Sequence, residues 1–162
     1  MHKIIFVLFS LFTISLSAQT FSSMDSQKVY ALRLHPGDDL KVKLYEFVKE
    51  KKIKAGYIIT CVGSLNKATL RLSNRNETQT WKQTFEITSL TGTLSPDGNH
   101  LHISIADKDG VTIGGHLMDG SIISTTAEII IGEVPDLIFK RETDSVTTFK
   151  ELKIYQKDKD TK

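Results

Sequence analysis

Two aspartate-glycine turns constrain this chain more than any other feature. Ser95-Pro96-Asp97-Gly98 and Asp107-Lys108-Asp109-Gly110 bracket a segment in which Leu101, Ile103 and Ile105 alternate with His100, His102 and Ser104. Alternation at period two is the mark of a half-buried strand, and turns rich in aspartate with a final glycine are hairpin connections. The segment therefore predicts the middle strand of an antiparallel meander, with its apolar face inward and its histidines on the other face. In DKDG the natural geometry is a type I turn closed by a left-handed glycine, a three-residue loop. Asp107 then pairs with Val111, and counting back puts His102 opposite His116. A two-residue loop would instead turn His116 towards the face of Leu101 and scatter the histidines. The same reasoning on SPDG pairs Ser95 with Asn99, which sets Gly92 opposite His102 and Leu94 opposite His100.

Three of the five histidines of the chain fall between residues 99 and 117. Two at i and i+2 with a third across a hairpin can hold a zinc-like divalent ion through imidazole nitrogens at about 2.0–2.1 Å. Three protein nitrogens leave a coordination position open to water or a ligand, the arrangement of catalytic rather than structural sites. The alternative is three solvated histidines on a polar sheet face. Gly114-Gly115, just before His116, permits the close approach of another backbone or of a ligand. His35 precedes Pro36 and reads as a turn residue.

The rest of the chain fits around this meander. Val29 to Leu34 alternates as a strand, and Pro36-Gly37 stops it. Asp38 or Asp39 can cap a helix in which Leu40, Leu44, Phe47 and Val48 recur at helical spacing, ending near Lys54 to Gly56. Tyr57 to Val62 reads as a buried strand. Ala68 to Leu72, Trp81 to Leu94, Asn99 to Asp107, Val111 to Leu117 and Ile122 to Ile131 follow as further strands, then Leu137 to Phe139 and Phe149 to Tyr155 as short apolar pieces. The expected architecture is α+β: a mainly antiparallel sheet with one principal packed helix, in a single domain over 29–156. Residues 157–162 (KDKDTK ends the chain) read as a frayed tail.

The first residues differ in kind. Lys3, the apolar run Ile4 to Leu16, and small residues up to Ala18 match a secretory signal over 1–18, followed by a lead-in over 19–28. A retained hydrophobic helix is the alternative. The expected location is periplasmic or secreted. Without Lys3 the chain has 20 basic and 19 acidic side chains. That near-neutral balance argues against a protein that lives on phosphate contacts. Cys61 is the single cysteine, so no intramolecular disulfide can form, and its apolar surroundings (YIITCVG) suit a small buried side chain.

LRLHPGDDL (32–40), CVGSLNKATLRL (61–72), FEITSLTGTLSPDGNHLHISIADKDG (85–110), GGHLMDG (114–120) and TTAEIIIGE (125–133) together resemble the plants and prokaryotes conserved (PPC) domain in its stand-alone prokaryotic form. The resemblance implies a large antiparallel sheet, assembly as homotrimers, and a metal held by His100, His102 and His116. It also implies a link to DNA, because plant relatives join the domain to AT-hook motifs. This chain has no AT-hook and no basic arm, so DNA binding is the alternative expectation, beside a purely structural or interaction module. Around the histidines, Glu86 and Glu128 are acids in apolar strands that could ligate, orient an imidazole or act as a base, and Arg33 and Arg71 could meet an anionic small-molecule ligand. No side chain is singled out as catalytic. Were the site an enzyme's, metal-activated water or polarisation of a carbonyl would be its chemistry.

Overall fold

In the computed structural model, residues 27–157 are described, and one helix lies among ten elements. The expected signal (1–18), nearly all of the lead-in (19–28) and the tail beyond residue 157 lie outside the described residues. The first strand, β1 (Lys28–Leu34), leads through the turn at His35 to Asp38 into the helix α1 (Leu40–Glu50). Asp39 caps α1: its Oδ1 accepts from the N–H groups of Lys41 and Val42 at 3.1 and 3.3 Å, while its Oδ2 accepts from Gly120 N–H. That last bond ties the helix start to the loop before β7. Leu40, Leu44 and Val48 are fully buried on the inner face of the helix, as their spacing demands.

The helix is shorter than the sequence suggests. It stops at Glu50 because Lys52 takes a left-handed conformation (φ 54°), and the N–H groups of Lys52 and Ile53 bond back to Lys49 and Val48. This paired closure is a Schellman-type end. It turns Ile53 into the core, where it is fully buried. Glycine is the usual residue in that left-handed position, and a lysine holds it instead.

The strands that follow are β2 (Gly56–Arg71), β3 (Thr78–Trp81), β4 (Phe85–Leu94), β5 (His100–Ala106), β6 (Thr112–Leu117), β7 (Ile122–Glu133), β8 (Leu137–Thr143) and β9 (Lys150–Gln156). The two strands expected over 57–62 and 68–72 are one, β2. The long segment expected over 81–94 divides into the end of β3 and all of β4. The main sheet has the order β1-β7-β2-β4-β5-β6, with β3 on β2, and every pairing in it is antiparallel. Because β2 also pairs β6 at Leu70 and Arg71, the ladder β2-β4-β5-β6 closes on itself. Irregular register along the β2–β7 ladder marks where the 16-residue strand bends to allow this. Inside lie Leu65, Leu70, Leu94, Ile103, Ile105, Leu117, Ile123 and Ile129, all nearly or wholly buried, with α1 packed on the same core. The architecture is thus a mostly antiparallel sheet with a single helix.

The last two strands form a separate hairpin. It is docked by Phe139 N–H donating to Lys54 O, and by Val134, Phe139 and Ala55, which make a second small core with Tyr57, Leu137 and Leu152. The two apolar pieces recognised past Pro135 are therefore partners of each other.

Candidate metal centre

The DKDG loop has the geometry that its sequence calls for. Asp107 N–H bonds to Val111 O at 3.0 Å, Gly110 N–H to Asp107 O at 3.0 Å, and Gly110 is left-handed at φ 79°. Asp107 Oδ1 accepts from the N–H groups of Asp109 and Val111, which fixes the loop from the side chain as well. The register that results pairs His102 with His116. His100 lies two residues along the same face of β5. Leu101, Ile103 and Ile105 point inward and are almost fully buried.

The SPDG turn departs from the parallel argument by one residue. Here Gly98 N–H bonds to Ser95 O, and the N–H of Ser95 meets the side-chain Oδ1 of Asn99 rather than a backbone carbonyl. Gly98 is extended in the mirror sense (φ 139°) instead of left-handed. The β4–β5 register is therefore Thr91 with His102, Gly92 with Leu101 and Thr93 with His100. Gly92 does not stand beside a histidine; two threonines do. Its own need is steric, since a Cβ there would collide with the carbonyl of His100. The glycines before His116 likewise serve close backbone approach: a Cβ on Gly114 would press on Ile103 O and one on Gly115 on Arg71 O, each at 2.8 Å.

The three imidazoles meet. Their nearest nitrogens all lie within 4.8 Å of one another, and Nε2 of His100 is 3.2 Å from Nε2 of His102. Two nitrogens bound tetrahedrally to one ion at zinc distances are about 3.3 Å apart, so this spacing needs little adjustment. The His100 and His116 rings are stacked with centroids 5.1 Å apart, and the His102 ring stands edge-on to both. Burial, then the neighbouring Arg71, then the other two histidines push the His116 pKa down to about 4. Burial foremost, followed by Arg141, lowers that of His100. Both rings are accordingly neutral near pH 7, the form that offers a lone pair to a cation.

Of the other residues singled out in the sequence, only Arg71 joins this group; it is the cross-strand partner of His116. Glu86 pairs with Ala106 at the far end of β5 and with Ser64. Glu128 sits in β7 opposite Arg33 and Val62, and Arg33 Nε donates to Thr126 Oγ1. None of these three lines the cavity beside the histidines. Cys61 is buried, and burial raises its thiol pKa to about 12. Two residues that sequence reasoning missed do face the site: Arg141 of β8 and Glu151 of β9.

Fold and site together define a β-rich domain with one helix and a cluster of three imidazoles gathered on adjacent strands. The chain belongs to the Plants and Prokaryotes Conserved (PCC) domain family, whose model matches residues 21–135. It is 44% identical over 129 residues to a bifunctional protein GlmU of Synechococcus, covering 80% of this chain and 20% of that protein. The chain thus spans about a fifth of the length of the curated relatives it matches first. Among solved structures, a protein from Salmonella cholerae-suis superposes with a TM-score of 0.81 at 39% identity, covering 83% of this chain and 97% of that one. A Bacteroides thetaiotaomicron protein, described as DNA-binding by inference, superposes with a TM-score of 0.67 at 25% identity, covering 83% and 99%.

Proposed function

We propose that this chain is an exported, homotrimeric PCC-domain protein that holds one divalent ion, zinc by preference of its ligands, on His100, His102 and His116 and presents it to a small ligand. The convergence of three imidazoles with nitrogens within 4.8 Å carries the reading. Nitrogen donors of this kind suit zinc and its neighbours in the transition series. A bound ion would supply Lewis acidity, polarising a carbonyl or activating water. The residues of the chain set the rest: His100 and His116 rings neutral at physiological pH, a closed ladder that fixes the strands bearing the cluster, and a cavity alongside. Exposed Val29, Ile59 and Val62 on β1 and β2 support self-association. The apolar run Ile4 to Leu16 supports export.

Elemental analysis of purified protein tests the metal. About one zinc per chain is expected, with loss in the His100→Ala/His116→Ala double variant; wild-type protein that takes up no zinc when supplied with it overturns the reading. Light scattering of the same sample tests the trimer. DNA binding is the second reading, favoured by the description of the Bacteroides neighbour. A gel-shift titration at two salt concentrations decides it, because phosphate-driven binding must weaken steeply with salt.

A further inference from the structure

The cavity beside the histidines has a charge that the metal reading does not explain. It measures about 490 Å³ and is lined by His100 and His116 on one side, with Lys41, Arg71, Arg141 and Lys150 contributing four cations against the single carboxylate of Glu151. Lys41 already has a partner, Asp119 at 2.9 Å. Glu151 Oε1 accepts from Thr147 Oγ1. The two guanidiniums differ from Lys41 in this respect. Arg71 and Arg141 are each half-buried, and neither has a carboxylate within ion-pair distance among the described residues. Each is held by a neutral acceptor instead: Arg141 Nη2 donates to Thr93 Oγ1 at 2.6 Å, and Arg71 Nη1 to Arg75 O at 3.4 Å. A half-desolvated guanidinium with most of its five donors free is suited to binding an oxyanion.

The origin of the two arginines sharpens the point. Arg71 ends β2, within the residues matched by the family model, whereas Arg141 arrives on β8, beyond residue 135. The β8–β9 hairpin thus adds a second wall to the site and brings the only carboxylate with it. Asn99, which also lines the cavity, has a buried Nδ2 with no hydrogen-bond partner among the described residues.

We infer that this cavity is an anion site: Arg71 and Arg141 clamp a small molecule bearing a carboxylate or phosphate group beside the three histidines. The inference rests on the metal reading only for the ion's share of the attraction. Imidazole ligands bring no negative charge, so the charge of a divalent ion would be left uncompensated, and an anion spanning ion and arginines would neutralise both. The arginines would bind it without the ion, more weakly.

Calorimetric titration at low ionic strength with inorganic phosphate and, separately, malonate tests this on zinc-loaded and metal-free protein. Saturable binding of at least one probe is expected, and which of the two binds distinguishes a phosphoryl from a carboxylate ligand. Arg141→Gln and Arg71→Gln should each weaken binding by about tenfold to a hundredfold, the worth of a charged hydrogen bond. Arg141→Gln should keep its zinc, which shows that the site has folded. Failure of both probes to bind, or unaltered binding in both variants, overturns the anion site. Protein that holds zinc but no anion refutes this inference alone. Protein that binds the anion through its arginines but never zinc refutes the metal reading alone.

Discussion

His116 and Arg71 are cross-strand partners where β6 closes against β2, so a guanidinium and one imidazole of the three-histidine cluster share one rung of the ladder. Together with burial, which is the larger cause, that neighbour holds the imidazole neutral down to about pH 4.

A pH dependence follows for the metal-free protein. The folded His116 pKa lies below the value of about 6.5 expected in the unfolded chain, so the unfolded state binds more protons between pH 6.5 and 4. The contribution of His116 is complete above pH 6.5 and is lost as the pH falls towards 4. Thermal midpoints of metal-free protein should therefore fall across that window. Arg71→Gln should make the fall shallower by raising the His116 pKa, and an NMR titration of the ring would read the shift directly.

Zinc should raise the thermal midpoint of the wild-type protein. At a free concentration a hundred times the dissociation constant the gain is about 2.7 kcal/mol. His102→Ala removes one of the three proposed ligands and should abolish most of that gain while leaving the metal-free midpoint nearly unchanged, since His102 is exposed. Differential scanning calorimetry with and without zinc measures both.

Gly92 is the most demanding glycine near the site. Gly92→Ala combines a φ of 139° with a collision against the His100 carbonyl, and both strands would have to part to relieve it. A loss of about 3 kcal/mol or more is expected in urea denaturation. Gly110→Ala, left-handed but open to solvent, should cost only about 1 kcal/mol.

Asp39 joins α1 to the loop ahead of β7. Asp39→Ala removes both a helix cap and the acceptor for Gly120 N–H, and should destabilise the protein by about 2 kcal/mol, the upper end for a cap alone. Asp39→Asn keeps an oxygen for the cap and should recover much of that loss in the same denaturation measurement.

The two hairpin turns show what a sequence of this kind discloses. In DKDG the backbone alone sets the loop, glycine takes its left-handed conformation, and the pairing of His102 with His116 can be counted from the letters. In SPDG the side chain of Asn99 takes over a backbone partner, the loop shortens by a residue, and Gly92 moves away from the histidines. Local chemistry does not show which amide or carbonyl will compete for an N–H. The end of α1 illustrates the same limit, because only the burial of Ile53 explains a lysine in a conformation that glycine prefers. Arg141 and Glu151 were hidden for another reason. They reach the site through the docking of a hairpin some forty residues downstream, and no periodicity encodes where a hairpin docks.

Cys61 gives the molecule a built-in clock. It is the one thiol of the chain, it is 4% exposed, and its pKa of about 12 leaves almost no thiolate at neutral pH while the sheet is intact. Alkylating reagents can therefore modify it only during excursions that part β2 from its neighbours. Labelling rates would count the excursions that expose Cys61 on β2, and any ion or anion that grips β5 and β6 should slow them only if the closed ladder moves as one body.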